Sequence, residues 1–320
     1  MLGGLLAGLT TGALWGLIFI APLAVLPYSG VDLAIGRYLV FAATSVAVLL
    51  AVPSTRASGL SRRDLLLGIG LGMIGYGAFY GFLVLAVTRA GPQISAMVIG
   101  LLPILLAIIG NLDGGRMPWR SLAAPIVMIA MGVALVHGTA FLAADTPHER
   151  IGLATGVLAA LASVVCWTMF SVLNARTLAR LPGMNSLAWT SLHGIGAGIG
   201  ILAFGLIAAP TGAVHLVGIG WQWPEAKPLL VWALITGFFG SWLASYLWVI
   251  ATSRLPLVVS GQLFVGEPAF GVIYGFLWEE RWPTISEAAG ASLLFGGVLV
   301  GIAAFSRNRR RDITGIAATH

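Results

Sequence analysis

A single cysteine in 320 residues, Cys166, leaves no partner for a disulfide framework and no sulfur ligand set for a metal. A single lysine, Lys227, lies outside any Gly-rich phosphate loop, so there is no ATP site and no primary pump. His-Glu-x-x-His pairs are missing, and no aspartyl-protease motif falls within an apolar run. These absences argue against an enzyme and against a bound cofactor or metal. Charge of either sign is also scarce. Only 9% of residues are charged, where globular chains carry about 25%.

What is present is apolar: 58% of residues are hydrophobic and the mean hydropathy is +0.97. No soluble domain of this length could hide so much apolar surface. The runs are unbroken, which excludes the alternating pattern of a membrane β-barrel. A helical span needs about 20 apolar residues. Ten such segments are expected, near 3–25, 31–52, 64–88, 91–110, 119–139, 151–173, 185–208, 228–251, 256–277 and 285–305. The expectation is therefore an all-α integral membrane protein in a plasma (inner) membrane of bacterial type. The first segment lacks a basic start and a small-residue cleavage site, so it reads as a retained helix.

Arginine sets the orientation. With both termini in the cytoplasm, the inner loops hold Arg56, Arg62, Arg63, Arg116, Arg120, Arg176, Arg180 and Arg254, and the tail adds Arg307, Arg309, Arg310 and Arg311. The outer loops hold only Arg89, Arg150, Lys227 and Arg281. The sequence pI near 10.1 is thus a topological signal, and no nucleic-acid partner is expected.

A shift of 165 residues lays "VTRAGPQISAMVIGLLPILLAIIGNLDGGRMP" on "TSRLPLVVSGQLFVGEPAFGVIYGFLWEERWP" without a gap. It pairs Arg89 with Arg254, Ser95 with Ser260, Pro103 with Pro268, Gly110 with Gly275, Arg116 with Arg281 and Pro118 with Pro283. Upstream it pairs Gly72 with Gly237 and Gly75 with Gly240; a smaller shift brings Trp15 opposite Trp167. Five helices per copy is an odd number, so the second copy enters the membrane inverted. Inverted repeats are a transporter design with the solute site near the midplane. The expected division is 1–140 for the first repeat, 141–150 for a polar linker, 151–306 for the second repeat and 307–320 for a basic tail. A chain with its own internal dyad needs no second subunit, so a monomer in the lipid bilayer is expected.

The segment "FVGEPAFGVIYGFLWEERWPTISEAAGASLLFGGVLVGIA" resembles the closing segment of EamA-type members of the drug/metabolite transporter superfamily. Glu267-Pro268, Gly275, Glu280-Arg281, Gly290 and Gly296-Gly297 carry the likeness, while the first half matches less well, with Leu102 and Gly115 at positions where acidic residues would be expected. The resemblance implies ten helices and export of small metabolites, often amino acids. The aromatic residues look like those of aromatic and neutral amino-acid exporters.

Candidate substrate-binding residues follow from depth and spacing. Tyr76 and Tyr80 form an i, i+4 pair, as do Trp242 and Tyr246. Trp15 and Trp167 would flank the same space, and each aromatic has packing as its plainer role. Ionisable residues inside spans are functional suspects. Arg37 either snorkels outward or meets substrate. His193 either packs between helices or contacts a substrate carboxylate or a proton. Gln262 and Asn174 are polar without a constellation. Glu267 has three open roles: proton coupling, contact with a substrate ammonium, or bonding of backbone freed at Pro268. Pro22, Pro103 and Pro268 are the expected hinges.

The reading is a secondary-active or facilitative exporter of small amphipathic metabolites, foremost amino acids including aromatic ones, by alternating access. An exporter of drug-like cations or nucleobases coupled to protons through Glu267 is the alternative. A non-transporting membrane regulator or intramembrane enzyme is the third possibility.

Overall fold

The computed structural model describes residues 2–56, 60–102, 105, 106, 108, 109, 123–128, 130–132, 134, 135, 146–181, 184–254, 263 and 265–317. Of these, 56, 249, 252–254, 298, 302 and 304–317 are described by backbone alone. Helices are α1 (Leu2–Gly16), α2 (Gly30–Ala51), α3 (Arg62–Ala90), α4 (Pro92–Ile99), α5 (Ala123–Gly132), α6 (Pro147–Arg180), α7 (Ser186–Ala208), α8 (Ala226–Leu234 continuing to Ala244–Arg254), α9 (Gly266–Trp278) and α10 (Ile285–Ala317). No strand occurs among the described residues. Six helical stretches among them are long and apolar enough to cross a membrane: Leu2–Leu23, Gly30–Ala51, Arg62–Ala90, Pro147–Arg180, Ser186–Thr211 and Ala226–Trp248. In lipid only internally bonded backbone is stable, which is why these runs are helical. The protein is an all-helical, multi-pass membrane protein.

Polar residues mark where several helices begin. Ser29 and Asp32 form a reciprocal capping box on α2, as Thr146 and Glu149 do on α6. Asn185 accepts from the Leu187 and Ala188 amides at the start of α7. The Asp32 carboxylate, 3% exposed, also accepts from the His215 and Leu216 amides at 3.2 Å. It thereby ties the segment after α7 to the head of α2. The Thr146 cap moves one expected boundary: Pro147–Arg150 are the first turn of α6, not linker. At the other end, α10 runs on through the arginines expected as a tail.

Packing is set by glycine. On α7, Gly194 and Gly198 meet Ser45 and Ala42 of α2, while Gly196 and Gly200 meet the Ile69 carbonyl and Met73 of α3. Each pair is four residues apart, so one helix presents two close-packing faces. A Cβ on Gly72 would collide with the His193 carbonyl, and one on Gly237 would lie 2.6 Å from the Arg37 carbonyl oxygen. Both glycines let α3 and α8 approach a neighbouring backbone.

Both α3 and α8 carry a π-helical stretch, at Met73–Ala78 and Ile235–Leu243. Hydroxyls bridge helices nearby. Thr11 donates to the Ala244 carbonyl at 3.3 Å and Ser163 to the Phe79 carbonyl at 2.9 Å. The principal neighbours are α2 with α7 and α8, α3 with α6 and α7, α1 with α8 and α9, and α4 with α6 and α9.

The proline positions differ in character. Pro22 is buried in a 3-10 turn, Ala21–Leu23, between α1 and α2. Pro268 falls in the first turn of α9, where a missing N–H breaks no intrahelical bond. The irregularity inside the long helices lies instead in the two π stretches, at glycine-rich sequence. Pro103 lies outside the described residues.

Candidate functional site

One internal cavity gathers chemistry from six helices and the segments joined to them. It is lined by Trp15 and Ile18 from α1 and its 3-10 extension, Arg37 and Tyr38 from α2, and Tyr76 and Phe79 from α3. Leu102 beyond α4, Trp167 from α6, Gly240, Ser241 and Ser245 from α8 and Glu267 from α9 complete it. Its volume is about 30 Å³, which is water-sized. Pockets for small organic molecules run from about 300 Å³ upward. The helices must therefore part before an organic solute can be held.

Arg37 organises the polar side. It is 5% exposed, and its Nε donates to Ser241 Oγ at 3.1 Å. Its guanidinium carbon lies 4.3 Å from the Tyr80 ring centre and 5.1 Å from that of Tyr38, a cation–π seat that fixes its plane. Arg37 Nη1 is buried without an acceptor, and the Tyr80 hydroxyl is likewise unpartnered. The snorkelling expected as one option for Arg37 does not occur. With α2 starting at Gly30, the residue lies roughly 10 Å along the helix, and it turns inward onto aromatic rings. Glu267, 7% exposed, lines the same cavity.

The aromatic wall is contiguous. Trp167 lies 5.0 Å from Phe79 and 5.7 Å from Tyr76, ring centre to ring centre. Trp15 packs 5.6 Å from Trp248. Thus Trp15, Tyr76, Trp167 and Glu267 come together, with Tyr80 beneath Arg37.

Trp242 and Tyr246 do not join them. Their rings stack on one another, 6.2 Å apart and 8° from parallel, and Tyr246 is 54% exposed on the outer surface of the bundle. The physical reason is angular. One residue is about 100° of helix, and the neighbouring residues Ser241 and Ser245 face the cavity instead. His193 also lies outside the lining. It is buried among the rings of Tyr76, Phe170 and Trp189 at 6.0, 5.2 and 5.3 Å, and its Nε2 has no partner. Asn174 accepts from Trp189 Nε1 at 2.8 Å beside that cluster. Gln262 lies outside the described residues.

Sequence reasoning passed over Tyr38, Phe79, Leu102, Ser241 and Ser245. The signal existed for the two serines: the 165-residue shift places Ser241 opposite Tyr76 and Ser245 opposite Tyr80. Among the described residues, no group of three His, Cys, Asp or Glu side chains is placed to hold a metal.

A membrane-embedded cavity walled by aromatics, with a clamped guanidinium and a carboxylate, belongs to the class of helical membrane transporters. Comparison with known proteins gives the family. The model of the EamA-like transporter family matches residues 154–302. The inner membrane protein YtfF of Escherichia coli (strain K12) is 30% identical over 325 residues, covering 95% of this chain and 96% of that protein. The chain belongs to the EamA-like transporter family of the drug/metabolite transporter superfamily. A crystal structure at 22% identity superposes with a TM-score of 0.61 over 93% of this chain and 96% of the other, a shared fold.

Proposed function

We propose that the protein exports small amphipathic metabolites, foremost amino acids including aromatic ones, by alternating access of two inverted five-helix repeats. The membrane is the inner membrane, as the relative YtfF suggests. The arginine distribution supports both termini in the cytoplasm, and the internal repeat of the sequence supports a monomer. The observation that carries the reading is that the cavity draws on equivalent positions of the two halves. Three lining pairs, Trp15 with Trp167, Tyr76 with Ser241 and Leu102 with Glu267, follow the repeat shifts seen in the sequence.

Other observations support the repeat. The π stretch Met73–Ala78 shifts by 165 onto 238–243, inside Ile235–Leu243. The bond from Thr11 to the Ala244 carbonyl has its counterpart in the bond from Ser163 to the Phe79 carbonyl, Thr11 and Ser163 following the smaller shift that pairs Trp15 with Trp167 and Phe79 and Ala244 the shift of 165. Gly72 against the His193 carbonyl answers Gly237 against the Arg37 carbonyl, which makes Arg37 and His193 equivalent seats. The neighbours α1 with α8 and α3 with α6 exchange under the same operation.

The proposed halves are 1–140 and 151–306, with α6 beginning just ahead of the second. Hinge bending is proposed at the π stretches together with Pro22 and Pro268. An aromatic wall with few polar groups suits an amphipathic solute better than a strongly hydrated one.

The test is flux into liposomes containing only this protein, with labelled L-phenylalanine, L-leucine, adenine and tetraphenylphosphonium, with and without a pH gradient. Saturable amino-acid flux is expected. Flux of adenine or the cation alone would replace the amino-acid reading, and no saturable flux of any solute would remove the exporter reading altogether.

A further inference from the structure

Two opposite charges line one cavity without meeting. Among the described residues Arg37 and Glu267 form no ion pair, although both are more than nine-tenths buried. The chain closes such pairs elsewhere. In the exposed corner between α9 and α10, Arg281 reaches Glu279 at 2.6 Å and Glu287 at 2.7 Å. Leaving a buried pair open is costly, because two charges that attract only across a gap offset less of each other's desolvation than a closed pair does. Something else is expected to complete them.

The surroundings define what. Arg37 has Nε committed to Ser241 and its plane seated on Tyr80 and Tyr38. That leaves Nη1, buried and without an acceptor, as a donor already oriented. A carboxylate satisfies such a donor with a charge-assisted bond. Glu267 accepts no hydrogen bond from the described residues, so an ammonium satisfies it. A monocation would neutralise Glu267 and leave Arg37 uncompensated, and a monoanion would do the reverse. A zwitterion meets both.

We infer that Arg37 and Glu267 form a split receptor for an α-amino acid: Arg37 takes the carboxylate, Glu267 takes the ammonium, and Trp15, Trp167 and Tyr76 take the side chain. The inference rests on the amino-acid export reading above and adds the recognition of the zwitterion. The two charges stand on opposite proposed repeats, and their equivalent positions, His193 and Leu102, hold neither charge. A bound zwitterion therefore bridges the halves that move against each other.

The experiment uses the full chain in liposomes, with labelled L-phenylalanine as the probe. Unlabelled 2-phenylethylamine lacks the carboxylate and 3-phenylpropionate lacks the amine. Each is expected to compete about tenfold or more weakly than unlabelled L-phenylalanine, since loss of one charged contact costs at least a decade in binding. Competition by either analogue equal to that of phenylalanine overturns the split receptor while leaving amino-acid export standing. Absence of phenylalanine flux beside flux of another solute overturns the export reading instead.

Two variants sharpen the assignment. Arg37→Gln should shift relative preference toward 2-phenylethylamine, and Glu267→Gln toward 3-phenylpropionate. A purely structural role would lower all three solutes in step, which would overturn the assignment of those residues. The competition profile of the unmodified protein decides the matter if either variant does not fold.

Discussion

Helices α3 and α8 are built to one plan and finished differently. Both pass a glycine against a neighbouring carbonyl, Gly72 beside His193 and Gly237 beside Arg37, and both carry a π stretch there, starting just after Gly72 in α3 and enclosing Gly237 in α8. At the cavity, however, α3 presents Tyr76 and Phe79 while α8 presents Gly240, Ser241 and Ser245. The bulky aromatics of α8, Trp242 and Tyr246, stand one residue on and lie outside the lining. The difference teaches that backbone and close-packing positions keep the shared plan, whereas cavity-facing side chains diverge. One helix supplies the wall and the other supplies small polar groups that hold Arg37.

The largest expected effect tests the shared part. Gly72→Leu and Gly237→Leu should both cost on the order of 3 kcal/mol or more, because a side chain there meets backbone that cannot move aside. Gly70→Ala, with open space around its Cβ position, should be neutral. Thermal melting followed by size-exclusion chromatography in detergent reads all three. If Gly237→Leu proved as harmless as Gly70→Ala, the two helices would not share a packing plan.

Next in size is the divergent part. Tyr76→Ala should lower phenylalanine flux by about tenfold, since it removes wall and opens the ring cluster against Trp167. Tyr246→Ala should stay within about twofold of the unmodified protein. Equal losses would return Tyr246 to the cavity. The smallest effect is expected at the polar side. Ser241→Ala leaves the guanidinium on its aromatic seat but removes the Nε acceptor. The tyrosine seat remains and water can take the vacated place, so apparent affinity should weaken by only about threefold while the melting profile changes little. Unchanged affinity would mean that the tyrosines alone orient Arg37.

Much of this was legible in residues. The long apolar runs place the helical stretches long enough to cross a membrane, whereas the Thr-Pro-His-Glu run at 146–149, which reads as linker, is the capping box that starts α6. What escaped is angular. Aromatic pairs at i, i+4 look alike whichever way they face, and a one-residue slip between Ser241 and Trp242 exchanges cavity for surface. The shift of 165 places Ser241, and not Trp242, opposite Tyr76. Arg37 is legible as an ionisable residue inside a span, but the choice between snorkelling and an inward seat is not: the seat depends on Tyr38, Tyr80 and Ser241 converging from three helices, and no local pattern encodes that convergence.

The mismatch between Leu102 and Glu267 bears on energy levels rather than on contacts. Two identical inverted halves would make the inward-facing and outward-facing shapes degenerate, each populated equally in a symmetric bilayer. If the proposed inverted repeats alternate access, a carboxylate on one half and a guanidinium on the other lift that degeneracy, and the empty carrier is then expected to rest unequally between its two faces. Glu267→Leu should move this resting balance, read as a changed alkylation rate of a cysteine introduced at Leu102. An unchanged rate would mean that the bias lies elsewhere. A charge that the membrane penalises thus acts as a weight on one pan of the balance.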